Sequence, residues 1–237
     1  MSAPADRTTG ATRLLAFDTS TEHLSVAVRH GDAVFMQDGP GGPQASSTLI
    51  PLIQQLLAQA GLTLAALDAI AFGRGPGSFT GLRTACAVAQ GLGFGAGVPL
   101  LPVDTLHAVA EDARERHGAT HVVAVLDARM DQVYTARYAC AAGGALLQPE
   151  SEVEVVAPEQ VVMPEGWRLA GNAFAAYGDR LPAAPHIDAL PSAAALLRLA
   201  PALLAAGRQV APSDAWPLYV RDKVAQTTAE RAAAKQT

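Results

Sequence analysis

Glycines at close spacing followed by two hydroxyls make the stretch with the most chemical potential in this 237-residue chain, Gly73-Arg74-Gly75-Pro76-Gly77-Ser78-Phe79-Thr80. An apolar run, Ala69 to Phe72, stops at the first glycine. Glycine reaches backbone conformations closed to other residues and Pro76 locks its own φ, so the spacing predicts a shaped loop that neither a helix nor a strand survives. Ser78 and Thr80 then offer hydroxyls to the free amides of a helix in which Leu82, Ala85, Val88, Ala89 and Leu92 recur at helical spacing. A strand, a glycine loop and a helix start can together hold an anion, because unpaired N–H groups and the positive end of the helix dipole point the same way. Asp18, Thr19, Gly75, Gly77, Ser78 and Thr80 are the residues that would contact such an anion or a nucleotide. The alternative is a loop that only turns the chain. No lysine follows the glycines as a P-loop requires, and a GxGxG without a later acidic ribose partner is a weak dinucleotide signal.

Other reactive groups are scattered. Asp18 and Asp127 each close an apolar run and could share a metal or nucleotide, but no further carboxylates stand in similar places, so both read as turn formers. His107 and Glu111 are spaced i, i+4 on one helix face; with no third ligand and no HExxH they read as a surface pair. The remaining histidines form no cluster, and no GxSxG elbow accompanies a His and an Asp in triad order. Cys86 and Cys140 make neither a ligand pair nor a disulfide framework and suit buried apolar roles in a reducing compartment.

The elements that must position these groups follow from pattern. Arg13 to Asp18, Leu24 to Arg29 and Ala33 to Gln37 read as three strands of an antiparallel meander, which excludes a standard Rossmann start. Asp38 to Gln44 reads as a loop, and Ser46 or Ser47 as the cap of a helix carrying Leu49, Ile50, Leu52, Ile53, Leu56 and Leu57. Those apolar residues exceed one stripe, so the helix is expected to bury two faces, one on its own sheet and one elsewhere. The small residues of the next helix, Ala85 to Gly97, let another element approach closely at a cost in helix propensity. Strand Val98 to Val103 and a helix from Thr105 to Arg116 follow. Val122 to Asp127 and Gln132 to Tyr138 then repeat the opening pattern, which argues for two related α/β lobes. Strands at Glu152 to Val156 and Arg168 to Ala170, a helix from Ser192 to Ala206 broken or bent at Pro201, and an extended Ala211 to Arg221 complete the reading. The expected division is a disordered 1–12, a first lobe 13–104, onto which 212–237 packs back, and a second, degenerate lobe 105–211. A net charge of −5 argues against gripping nucleic acid through a whole-surface field. The start has no apolar leader and no run is long enough to span a bilayer, so a cytoplasmic protein without membrane contact is expected.

Five segments resemble the TsaB (YeaZ) family: LLAFDTSTEHLSVAV (14–28), FGRGPGSFTGLRTACAVAQGLG (72–93), VPLLPVDTL (98–106), VLDARMDQVYTARY (125–138) and PLYVR (217–221). The resemblance runs from about residue 13 to 221. It implies an actin-like, sugar-kinase-like α/β fold of two ribonuclease H-like lobes with mixed sheets, and a non-catalytic subunit in the synthesis of threonylcarbamoyladenosine in tRNA. Such a subunit pairs with its paralogue TsaD, acts with the ATPase TsaE, forms a homodimer when alone, and meets tRNA only through the complex. ATP and metal are expected on the partners, none on this chain alone. The metal-binding HxxxH of the paralogue falls here on Thr105 and Val109, and a histidine common in relatives falls on Ala45. The resemblance places the pairing surface on the first two helices, with Leu49, Ile50, Ile53, Leu56, Leu57, Leu82, Ala85 and Ala89 as the expected contacts. A small-molecule kinase of the same fold and a metallopeptidase are the alternatives. The first needs a second phosphate loop near Asp127, where the chain has Asp-Ala-Arg-Met, and the second needs the ligands that Thr105 and Val109 replace.

Overall fold

The computed structural model describes residues 11–141, 144 and 146–221. Strands β1 (Arg13–Asp18), β2 (His23–His30) and β3 (Ala33–Pro40) form an antiparallel meander, and β4 (Ala69–Gly75) and β5 (Leu100–Asp104) join β1 in parallel, in the order β3-β2-β1-β4-β5. The unbroken apolar run of β1 has a direct cause, since a central strand covered on both faces has no polar side. Leu15 and Phe17 face helices α1 (Ala45–Gln59) and α2 (Phe79–Ala96), packing with Leu49, Ile53, Leu56 and Ala89. Leu14 and Ala16 face the other way, with Ala27, Ala69 and Ala71, onto helix α5 (Ala193–Ala205). Ala16, Ala27, Ala69 and Ala71 make the centre of this second face small, which lets α5 and its own alanines come close to the strands.

The second sheet has the order β11-β10-β6-β7-β8, with β9 also on β7: β6 (His121–Arg129), β7 (Gln132–Cys140), β8 (Leu147–Pro149), β9 (Glu154–Val156), β10 (Arg168–Gly171) and β11 (His186–Asp188). Helix α3 (Thr105–His117) covers one face through Leu106, Val109, Ala110 and Ala113, while Val123, Val125, Val133 and Leu169 turn to the other, where Tyr177 of the one-turn helix α4 (Phe174–Tyr177) lies. Two mixed sheets of similar layout, each opening with a hairpin, make this the actin-like α/β fold of two ribonuclease H-like halves.

Several expectations give way to the tertiary structure. The glycine stretch does not end its strand: β4 runs through Gly73 and Gly75, which pair with Val103 and Asp104 across a register shift. Strand β3 likewise continues to Pro40, because β2 offers it partners as far as His23. Ser46 and Ser47 are not caps; they lie inside the first turn of α1 and bond back to the Pro43 and Gln44 carbonyls. Pro201 stands within a continuous α5, whose true cap is Ser192, its hydroxyl accepting from Ala195 N. That helix, expected with the second lobe, packs on β1, β2 and β4, since its apolar face matches the alanine face of the first sheet. Short β8, β11 and α4 carry too few residues for any periodicity to register.

The C-terminal segment runs back to α2 and the first sheet before reaching Arg221. Val210 bridges to Leu100, the Ala215 carbonyl accepts from Gln90 Nε2 and Cys86 Sγ on α2, and Leu218 N donates to the Arg74 carbonyl. Residues 210–221 thus form a strap along α2. Residues 1–10 and 222–237, which hold most of the expected disordered start and the end of the tail, lie outside the described residues.

Candidate functional site

The glycines around the start of α2 serve close approach. A Cβ at Gly73 would stand 1.7 Å from Asp18 Oδ2, one at Gly77 would stand 2.5 Å from the Ser20 carbonyl, and one at Gly81 would stand 1.9 Å from the Thr19 carbonyl. Gly75, at φ +119°, lies against the Leu218 carbonyl of the strap. The loop after β1 and the loop after β4 are therefore pressed together, tied by Ser78 N donating to Ser20 O and Thr19 Oγ1 donating to Gly81 O. Of the six residues expected around an anion, Asp18, Thr19 and Gly75 are buried in that packing, Gly77 and Ser78 line an open cleft, and Thr80 is exposed. They do not converge on one point, because the glycine backbone is occupied by the neighbouring loop.

Asp18 is sealed. Its Oδ1 accepts from Ser20 N at 2.8 Å and Ser20 Oγ at 2.6 Å, while Oδ2 is buried with no hydrogen-bond partner. Burial pushes its carboxyl above the usual aspartate value, against the lowering effect of the Ser20 bonds and His23. Asp127 differs: it lines the cleft, and its Oδ1 accepts from Arg129 N at 2.7 Å and Tyr177 Oη at 2.8 Å, with Arg129 Nη1 3.0 Å from Oδ2. Arg129, Met130 and Asp131 all have φ between 54° and 60°, and Asp127 stabilises that left-handed turn as the expected turn former.

The cleft, of about 290 Å³, lies between the two halves. The loop after β1, the start of α2, the end of β6 and residues 218–221 bound it. Arg221 pins the strap across to the second sheet: its Nη2 donates to the Ala128 carbonyl at 3.1 Å and Gln132 Oε1 at 2.6 Å. The sequence signal for this contact was present as two separate motifs, DARMDQVY and PLYVR, whose meeting only the fold reveals.

The expected pairing residues divide sharply. Leu49, Ile53, Leu56, Leu57, Leu82, Ala85 and Ala89 are each at most 5 % exposed within the single chain, Leu82 beside Gly75 at the cleft and the others in the core between α1, α2 and the first sheet. Only Ile50, 42 % exposed, faces outward. The excess apolar width of α1 is consumed by packing on β2 and α2 together. What α1 and α2 present outward is instead Ile50, Pro51, Gln54, Ala87, Gly91, Phe94 and Gly95. A Cβ at Gly91 or Gly95 would meet nothing within 4 Å, so these helical glycines answer no need inside the chain.

His107 and Glu111 are not a surface pair. Residues 105–113 of α3 are all buried between the second sheet and α5, which is why no polar stripe marks the helix. His107 stacks on Tyr138 with centroids 5.0 Å apart, its Nε2 2.8 Å from the Leu147 carbonyl, and burial pushes the imidazole below its ordinary value. Glu111 accepts from Arg114 Nε at 2.7 Å and Arg198 Nε at 2.8 Å, tying α3 to α5. Thr105 and Val109 are wholly buried, and among the described residues no three His, Cys, Asp or Glu side chains come together. Likewise no helix among the described residues is long and apolar enough to cross a membrane.

Comparison with known proteins places this geometry. The family model for TsaD, tRNA N6-adenosine threonylcarbamoyltransferase, matches residues 43–193. The tRNA threonylcarbamoyladenosine biosynthesis protein TsaB of Escherichia coli is 35 % identical over 224 residues, covering 90 % of this chain and 96 % of that protein. Its counterpart in Haemophilus influenzae is also 35 % identical, covering 89 % and 94 %. The crystallised YeaZ from Pseudomonas aeruginosa is 40 % identical and superposes with a TM-score of 0.82 over 88 % of this chain and 99 % of its own. With the likeness extending across nearly the full length of both partners in each comparison, the chain belongs to the TsaB (YeaZ) family.

Proposed function

We propose that this protein takes part in making threonylcarbamoyladenosine in tRNA as a non-catalytic subunit that pairs with a TsaD-type paralogue and acts with a TsaE-type ATPase. The observation that carries the reading is identity of 35 % to proteins named for that pathway over nine-tenths of the chain. Its chemistry agrees with an accessory role. Asp18 is shut away from the cleft, Asp127 holds a turn, and Thr105 and Val109 offer no ligand set, which supports assigning ATP and metal to the partners.

Pairing uses the outer faces of α1 and α2, through Ile50, Ala87, Gly91 and Gly95 rather than through the buried leucines. Glycine inside a helix costs about 1 kcal/mol relative to alanine, and a stripe of it that packs on nothing fits close approach by another helix. A second copy occupies the same face when the paralogue is absent. The test is replacement in cells by Gly91→Leu or Ile50→Asp, each at a position open to solvent. A folded variant that no longer co-purifies with the paralogue, in cells whose digested tRNA has lost the modified nucleoside by mass spectrometry, is the expected result. Normal nucleoside levels with the variant unpaired would overturn the reading.

A further inference from the structure

Where the strap crosses the first turn of α2, the surface changes character. Phe79 is 40 % exposed and Tyr219 48 %, with ring centroids 5.6 Å apart and planes inclined by 37°. Trp216, three residues earlier on the strap, is 68 % exposed. The Arg83 guanidinium lies 3.7 Å from the Phe79 centroid, and its Nε donates to Tyr219 Oη at 3.2 Å. Arg83, like Arg29, Arg137, Arg168, Arg208 and Arg221, has no carboxylate partner among the described residues, whereas seven other arginines do. Phe79 and Tyr219, which both line the cleft, and the cation that touches them are thus brought together from segments 136 residues apart.

We propose that Phe79, Arg83 and Tyr219 form a stacking platform for single-stranded nucleic acid. Arg83 covers one face of Phe79 and fixes the Tyr219 hydroxyl, so the half-exposed Tyr219 ring offers the surface for a planar base and the guanidinium supplies the charge that meets the adjoining phosphate. A chain of net charge −5 draws no polyanion by its overall field, so any contact must be local and rest on stacking. A protein hot spot also uses aromatics and arginine, within an apolar surround that excludes water. Here the surround is mixed, with Thr21, Glu22, Gly77 and Ser78 beside Leu82, Leu218 and Val220, and a protein contact is the competing outcome of the test. The strap touches α2 at Cys86 and Gln90, and a Cβ at Gly91 or Gly95 meets neither it nor any other part of the chain. The proposal rests on the functional reading above in one respect, that this protein works beside tRNA.

The test is fluorescence anisotropy of a labelled twelve-nucleotide oligouridine with the full-length chain at low salt. Saturable binding is expected. Phe79→Ala and Tyr219→Ala each weaken it about tenfold, in line with the worth of one base–aromatic stack. Arg83→Gln reduces the slope of log affinity against log salt by about 0.7, one phosphate of a single strand. Absence of saturable binding, or aromatic variants that bind as the parent does, overturns the platform. So does loss of paralogue co-purification by these variants with oligouridine binding unchanged, which makes the patch a protein contact. The cellular nucleoside assay on Gly91→Leu is independent of these measurements, so the two readings fail separately.

Discussion

Ile53 is 1 % exposed among Leu15, Phe17 and Leu49, so a carboxylate there has neither water nor a partner. Ile53→Asp is expected to cost on the order of 4 kcal/mol, a large share of a typical domain's stability, and to unfold the first lobe rather than uncouple it selectively. A urea midpoint close to the parent's would contradict that placement. Asp18 and His107 give pH dependences of opposite sign. The carboxyl of Asp18 is raised by burial, so the native state holds its proton above pH 3.8, where the unfolded chain releases it; stability therefore declines as pH rises through the folded value. Asp18→Asn removes that decline, and its gain in urea midpoint over the parent should grow with pH. The His107 imidazole is lowered by burial, so between its folded value and 6.5 the unfolded chain binds the extra proton; stability is complete above 6.5 and is lost as pH falls through that window. His107→Phe, which keeps the stack on Tyr138, should flatten the acid side of the stability profile. Neither burial was legible from residue type and spacing, because an i, i+4 polar pair looks alike on a wet face and inside a fully covered helix.

At the scale of elements, α2 carries glycines of two kinds that the sequence writes with one letter. Gly81 and Gly93 lie against the Thr19 carbonyl and the Leu100 side chain, whereas Gly91 and Gly95 have helical backbone and open surroundings. Alanine at Gly91 or Gly95 is expected to stabilise the isolated chain by up to about 1 kcal/mol each through propensity, while weakening pairing; alanine at Gly81 destabilises it. Differential scanning calorimetry beside analytical ultracentrifugation separates the two effects, and stabilisation at Gly81 would be the contrary result. Strand β1, the opening meander and the repeat at β6 and β7 were legible because apolar runs and alternation report burial directly. The width of the apolar face on α1 was legible too, but not its use: β2 and α2 together consume it, and only neighbours distant in sequence reveal that. The continuation of β4 through its glycines was hidden for the same reason, since pairing with Val103 and Asp104 overrides a local preference for turning.

For the molecule as a whole, the strap sets the relation between the two halves. It lies on α2 through Cys86 and Gln90 and ends with Arg221 gripping the β6–β7 turn, so it spans the cleft. Arg221→Ala removes the donors to Ala128 and Gln132, and faster hydrogen exchange at 128–132, with the core of β6 unchanged, is the expected outcome. Unchanged exchange there would mean that the turn is held by Asp127 alone. The same strap has a consequence for the order in which the protein is made. The first lobe is encoded first, yet its α2 surface is finished by residues 210–221, which follow the whole second sheet in chain order. Chains usually fold from the N-terminus as they are made, but this lobe must wait with one flank of α2 uncovered until the second lobe has been synthesised. Cys86, 5 % exposed beneath Ala215, becomes the mark of that wait: its thiol should react readily with a maleimide in nascent chains halted at Gly207 and slowly in the finished protein. A newly made molecule can in this way be told from an incomplete one by a single sulfur.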